Sequence, residues 1–186
     1  MNAPMNALRL ENAAWADAQP RLSVLIPTFR DDPCALLKAL DQALAPVEVV
    51  LLDDGGGDDV LAERIARRIE RMRVPACFIR LARNEGRARG RNRLASQARG
   101  AHLLFLDSDM LPDTPDFLER WTAVADSGAA VAFGGFTLDQ TPPRPEHALH
   151  RAMALKSDCT PAPERAKAPE KHVFTSNLLV HRDVFE

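Results

Sequence analysis

A chain of 186 residues, 46% hydrophobic and 27% charged, has enough apolar material for one substantial core and is not composed like a disordered segment. Its formal net charge of −2 gives no global attraction to nucleic acid or anionic lipid, so any polyanion must be met by a local patch. No apolar run approaches the roughly 18 residues of a membrane span, and the N-terminal stretch lacks the basic start and apolar segment of a secretory leader, so the expectation is a cytoplasmic protein without a transmembrane segment.

In chain order, residues 1–20 read as an N-terminal tail. From residue 21, apolar runs of strand length alternate with segments of helical period. Strands are predicted at 22–27 (LSVLIP), 47–53 (VEVVLLD), 76–82 (ACFIRLA), 101–107 (AHLLFLD) and 129–134 (AAVAFG). Most are unbroken apolar runs, as expected of parallel strands covered on both faces. Between them, Leu36, Leu37, Leu40 and Leu44 form one helical stripe, and Leu61, Ile65, Ile69 and Met72 another, capped by Asp58 or Asp59. A third helix is predicted over 86–99, closed by Gly100, and a fourth from Thr114 as cap, with Pro115 in its first turn, to about Gly128. After Gly135 proline, alanine and charge replace the periodic apolar residues. A short helix around 146–156, a mobile loop over 157–171 and a last strand-like piece, FTSNLLVH, complete the chain. This order predicts an α/β fold whose mostly parallel central sheet carries helices on both faces.

Ligands of open parallel sheets bind beyond the carboxyl ends of the strands. Four such ends are polar here: Pro27-Thr28-Phe29-Arg30, Asp53-Asp54-Gly55-Gly56-Gly57, Arg83-Asn84-Glu85-Gly86 and Asp107-Ser108-Asp109. If 102–109 stays extended, Asp107 and Asp109 project to the same side. At about 5–6 Å they would repel by roughly 3 kcal/mol at an effective dielectric near 20. Either water screens the pair at an exposed strand end, or a hard divalent cation takes oxygen ligands from both. The glycines at 55–57 lack both the dinucleotide-binding spacing and the P-loop lysine. In RNEGRARGRNR, Arg87 and Arg91 share one helical face and Arg89 and Arg93 another, so one pair is expected to face the cleft and assist an anion at the helix start. A solvated basic helix is the plainer alternative. A nucleic-acid partner is not expected, because only 5% of the chain is aromatic and no tyrosine is present. His147 and His150, with His172 and His181 later, raise zinc, but no cysteine or acidic partner stands at a supporting spacing, so solvent-facing histidines are expected. Cys34, Cys77 and Cys159, odd in number and without C-x-x-C, suit reduced thiols.

Taken in order, SVLIPTFR, VVLLDDGGGDD, RNEGRARGRN, LLFLDSDMLPD and FTSNLLVHRDVFE resemble the motifs of family-2 glycosyltransferases with the GT-A fold. The resemblance covers about residues 21–186. It implies a Rossmann-like three-layer sandwich, with 21–135 as the nucleotide-sugar-binding half and 136–186 as a partial acceptor-side half. It also implies transfer of a sugar, with inversion, from a UDP-type donor to a carbohydrate or lipid-linked acceptor, as in polysaccharide biosynthesis. A lipid-linked acceptor would leave room for peripheral membrane association. Donor-binding positions carried over are Pro27, Thr28, Phe29, Asp54, Asn84, Gly86, Arg89, Arg91, Asp107 and Ser108. Pro27 and Phe29 would frame the base, and Asp54 would accept from its imide N–H. Asp107 and Asp109 of the D-x-D would hold Mn²⁺ or Mg²⁺. Four departures stand out: Arg30 for the usual Asn, Gly56 for Ser, Gly90 for Ala, and Met110 where a third acidic residue is common. The family pattern continues past RDVFE to the acidic pair that holds the general base. The base is therefore expected beyond Glu186, and the sequence is expected to be truncated or catalytically defective. Alternatives are a non-catalytic nucleotide-sugar-binding domain and, from LLFLDSDM, a haloacid-dehalogenase-like phosphatase.

Overall fold

Four apolar runs, β2 (Leu22–Thr28), β3 (Val47–Asp53), β4 (Ala76–Leu81) and β5 (His102–Leu106), lie side by side in parallel and are almost wholly buried. Such strands contribute apolar side chains to both faces. The computed structural model, which describes residues 7–186, places them in a seven-stranded sheet of order β1 (Ala7–Glu11), β4, β3, β2, β5, β7 (Asn177–His181), β6 (Val131–Phe133). Strands β1 and β7 run antiparallel to their neighbours, and β6 pairs antiparallel with β7. Alternation then splits the core in two. Val24, Ile26, Val49 and Leu51 pack with α1 (Cys34–Leu40), α2 (Asp59–Glu70) and α4 (Phe117–Asp126). Leu25, Val50 and Leu52 pack on the other face with Leu94 of α3 (Arg87–Gln97) and with Trp15. Helices therefore cover both faces of the sheet, as expected.

Several local expectations are corrected. Residues 1–20 are not a tail throughout, because Ala7–Glu11 pairs with β4 as an edge strand. Asn12 then locks the turn, donating to the Met72 and Val74 carbonyls and accepting from Ala76 N–H. Helix α4 begins at Phe117 with Asp116 in the capping position, not at Thr114. Leu44 lies beyond α1 and is exposed. Gly100 closes no helix in the left-handed manner; its role is close approach, since a Cβ there would stand 2.9 Å from Arg21 O and Ser23 N. The 157–171 stretch carries a turn of helix, α6 (Ala162–Arg165), and a 3₁₀ turn at Pro169–Lys171. The 146–156 helix is present as α5 (Ala148–Ser157), and α7 (Arg182–Phe185) follows β7. Asp58 caps α2, accepting from Leu61 N–H. Cys34, Cys77 and Cys159 are free thiols, and burial raises the first two to about 11, so both stay protonated near neutrality.

At the edge opposite the carboxyl ends, the fully buried Glu48 takes Ser23 Oγ and Arg99 N–H on Oε1, both at 2.7 Å, and Arg99 Nε on Oε2 at 2.7 Å. The Arg99 guanidinium also lies 4.0 Å over the Trp15 ring and donates to Trp15 O. One carboxylate thus ties β2, β3, the end of α3 and the N-terminal segment. Removing Glu48 leaves Ser23 Oγ and the Arg99 N–H without their acceptor, while the Arg99 guanidinium, 32% exposed, can turn to water. Glu48→Ala is therefore expected to lower the urea-unfolding free energy by about 3–5 kcal/mol, against about 1–2 kcal/mol for Ser23→Ala. Equal midpoints for the two variants would remove Glu48 from this organising place.

Candidate functional site

The loops after β2, β3 and β4 converge through backbone contacts. Asp54 N–H donates to Thr28 O at 2.9 Å, joining the first two loops. Asp53 Oδ1 accepts from Gly56 N–H at 2.8 Å, which folds 53–56 back on itself. Gly55 has φ +71°, and a Cβ on it would stand 2.2 Å from Arg83 C, so only glycine lets the second loop press on the third. The Asp54 carboxylate accepts from Glu85 N–H (2.8 Å) and Gly86 N–H (2.9 Å), the amides leading into α3. Glu85 is in turn gripped by Arg93 through two hydrogen bonds, of 2.5 and 2.8 Å. That contact holds the Glu85 carboxyl below its usual range. Its contribution to stability is full above the ordinary carboxylate range and is lost as pH falls through the lowered value.

The first loop contains one strained residue. Arg30 sits at φ +65°, in the left-handed region, with its guanidinium 4.9 Å over the Phe29 ring. Thr28 Oγ1 donates to Asp31 O at 2.8 Å and so closes that turn. Left-handed backbone costs a non-glycine residue about 1–2 kcal/mol, least for Asn and Asp. The departure from Asn at this position therefore carries a conformational cost.

The acidic pair stands differently from the extended-strand expectation. Strand β5 ends at Leu106, and Met110 N–H donates to Asp107 O at 3.2 Å, so 107–110 is a turn. Strand alternation therefore does not govern the two carboxylates. Asp107 Oδ1 accepts from Arg91 Nη2 at 2.8 Å, with Arg91 largely buried and Asp107 partly open. Asp109 is exposed, and Ser108 between them is buried. A guanidinium thus offsets the charge at Asp107. Arg91 Nε is buried without a hydrogen-bond partner among the described residues. The oxygen donors left over, on Asp107 and Asp109, suit a hard divalent cation. No cluster of three His, Cys, Asp or Glu side chains occurs among the described residues. A cation here would therefore draw its remaining ligands from a bound substrate and water, which is the usual arrangement for Mg²⁺ at phosphate sites.

Of the positions anticipated from sequence, Thr28, Asp54, Gly86, Arg91 and Asp107 are linked by the contacts above. Pro27 is half-buried; Phe29, Asn84 and Arg89 are exposed on the same edge. The arginine faces do not divide as expected. One from each predicted pair, Arg91 and Arg93, is engaged with a carboxylate, while Arg87 and Arg89 remain exposed. Asp54 carries two backbone amides, a loop-holding duty that the base-reading expectation did not include. Asp53, Glu85 and Arg93 stand in the polar segments singled out from sequence, but their loop-holding contacts were not anticipated, nor was any part for Asn177; D-D-G-G, in which an Asp side chain bonds a following amide, was the available signal for Asp53. His147 and His150 are exposed. A cavity of about 210 Å³ is lined by residues at the end of α1 and in the 112–118 segment and includes none of Asp54, Asp107 and Asp109.

The family described as Glycosyl transferase family 2 matches residues 23–186. Among solved structures, the chain is similar to the mannosyltransferase PcManGT from Pyrobaculum calidifontis in complex with GDP-Man and Mn²⁺. Identity there is 18% and the TM-score 0.61, over 92% of this chain and 47% of that one. It is similar to S. aureus TarS in complex with UDP-GlcNAc, at 26% identity and TM-score 0.52, over 67% and 37%. It is also similar to glucosyl-3-phosphoglycerate synthase from Mycobacterium tuberculosis in complex with UDP, at 16% identity and TM-score 0.56, over 88% and 57%. The chain spans roughly half the length of these structures or less. No curated protein sequence matches it. The fold shared with these structures is the Rossmann-like GT-A sandwich.

Arg30→Asn is expected to raise the unfolding free energy by about 0.5–1 kcal/mol, because Asn adopts left-handed backbone more readily than Arg. That corresponds to about 1–4 °C in Tm for a domain of this size, measurable by differential scanning calorimetry. A lowered Tm would show that the Phe29 stacking outweighs the backbone strain.

Proposed function

The chain belongs to glycosyl transferase family 2, and from that premise we propose that it binds a UDP-type sugar donor and serves transfer of a hexosyl group, with inversion, to an acceptor hydroxyl. The observation that supports this best is the convergence of three strand-end loops beside a carboxylate already held by a buried arginine.

In this reading Pro27 and Phe29 frame the nucleobase. Asp54 fixes the 84–86 loop against it through the Glu85 and Gly86 amides. Asn84 and Arg89, exposed on that loop and the first turns of α3, meet the diphosphate together with Arg91. Asp109 and the oxygen of Asp107 not bonded to Arg91 would hold Mn²⁺ or Mg²⁺. When bound, such a cation neutralises charge developing on a leaving diphosphate. The chain's own contribution is positional: Arg91 fixes Asp107, and the clamped start of α3 fixes the amides, so donors are in place before charge develops. No proton acceptor for the acceptor hydroxyl is assigned among these residues. The phosphatase reading is set aside by the family match over 23–186. No helix among the described residues is long and apolar enough to cross a membrane. Action in the cytoplasm on a carbohydrate or lipid-linked acceptor, with peripheral membrane contact in the lipid case, is part of the proposal.

UDP with Mn²⁺ is expected to stabilise the fold by about 2.7 kcal/mol at one hundred times its Kd, and by much less with chelator present. Asp109→Asn, at an exposed side chain, is expected to leave the ligand-free midpoint unchanged and to remove the manganese dependence. A wild-type midpoint indifferent to UDP and Mn²⁺ together, in a thermal-shift titration, would overturn donor binding.

A further inference from the structure

Phe133, Phe136 and Phe174 gather where β6 ends and β7 begins, with ring centroids 5.3, 5.6 and 6.0 Å apart. Phe174 keeps 40% of its surface exposed and Val173 beside it 50%. The turn beneath them is firmly held. Arg165 stacks 5.2 Å from the Phe133 ring and donates to the carbonyls of Phe133, Gly134 and Thr160. Asn177 Nδ2 donates to Gly135 O at 3.0 Å, and Gly134 N–H donates to Asn177 O at 3.0 Å. A Cβ on Gly134 would stand 2.3 Å from the Asn177 amide, so this turn packs directly on that side chain.

The place of the cluster follows from sheet order. Asp107 N–H donates to Ser176 O, and Leu106 pairs with Asn177, so residues 174–177 run beside the acidic turn. Thr137 Oγ1 donates to Asp113, fastening the next loop to the segment after Asp109. The nucleotide loops follow β2, β3 and β4, all on one side of β5, while β7 and β6 lie on the other. With the nucleotide loops on the first side of β5, the side left open for the sugar of a donor whose diphosphate sits at β5 is that of β7 and β6. Inverting displacement brings the acceptor oxygen in line, opposite the leaving diphosphate, from that same side.

The chemistry follows from what surrounds the rings. The charged side chains hydrogen-bonded to the 133–137 turn are Arg165 and Asp113, and both already have partners there. An aromatic face presents negative potential, which suits the weakly positive C–H edge of a sugar ring rather than an anion. Building on the donor reading above, we propose that Phe174, backed by Phe133 and Phe136, is the platform on which an uncharged pyranose ring of the acceptor stacks.

The test uses the full chain with UDP and Mn²⁺, and methyl β-glucopyranoside, methyl α-mannopyranoside and n-octanol as probes in ligand-detected saturation-transfer NMR with irradiation of aromatic protons. Ring C–H protons of at least one pyranoside should saturate in the wild type. Phe174→Ala should weaken that binding by about fivefold, the size of one aromatic contact, while Phe174→Trp keeps it. UDP stabilisation, measured on the same samples, should be equal in all three. Pyranoside binding as tight in Phe174→Ala as in the wild type, saturation of octanol alone, or none in a wild type still stabilised by UDP would each overturn the platform. Absence of UDP stabilisation in the wild type overturns the donor reading and this assignment together.

Discussion

Carboxylates that end buried parallel strands must be compensated, and here the compensation comes from neighbouring loops and, above all, from one helix. Asp54 takes the two amides that lead into α3, and Asp107 takes Arg91 from its second turn. Glu85 takes Arg93, and just past the helix Arg99 reaches the fully buried Glu48 at the far edge. Helix α3 and the turn that follows it therefore carry charge compensation at both ends of the sheet. The helix's low apolar content, which reads in sequence as a solvated basic helix, reflects that duty.

The same constraint explains the asymmetry of the acidic pair. Asp107 lies next to the buried end of β5 and next to Ser176, and a half-covered carboxylate there needs a fixed partner. Arg91 meets the need at modest net gain, since two partly desolvated charges recover in attraction much of what they lose in hydration. Asp109, two residues on and exposed, is screened by water. One carboxylate is thus positioned and the other left available.

Much of this was legible in the sequence. The four parallel strands showed as largely apolar runs of strand length, Asp58 or Asp59 as a helix cap and Gly128 as a helix stop, the last at φ +81°. Edge strand β1 was not legible, because ALRLE has no β-branched residue and its place depends on backbone pairing with β4 and on Asn12 sixty residues from its partners. The turn at 107–110 was hidden because a period-2 reading assumes that the strand continues. Which arginines are engaged depends on carboxylates distant in sequence, such as Asp107, which helical periodicity alone does not locate.

The segment FTSNLLVH was legible as a strand-like piece, but the meeting of Phe174 with Phe133 and Phe136 was not, for a topological reason. Searching the segment after each strand presumes that every strand runs the same way. Strand β7 runs opposite to β5, so its beginning, not its end, lies at the site edge, and Phe174 and Asn177 arrive there from the residues that introduce it. Strand β6 pairs antiparallel with β7 and so runs with β5, which brings Gly134 and Phe136 to the same edge by the ordinary route. One reversal in the sheet thus faces two loops of opposite origin, and their phenylalanines meet only because of it. That juxtaposition needs the register Leu106↔Asn177 and Phe133↔Leu178 together. A slip of one residue in β7 would turn its side chains to the other face and take the Asn177 amide from beneath Gly134.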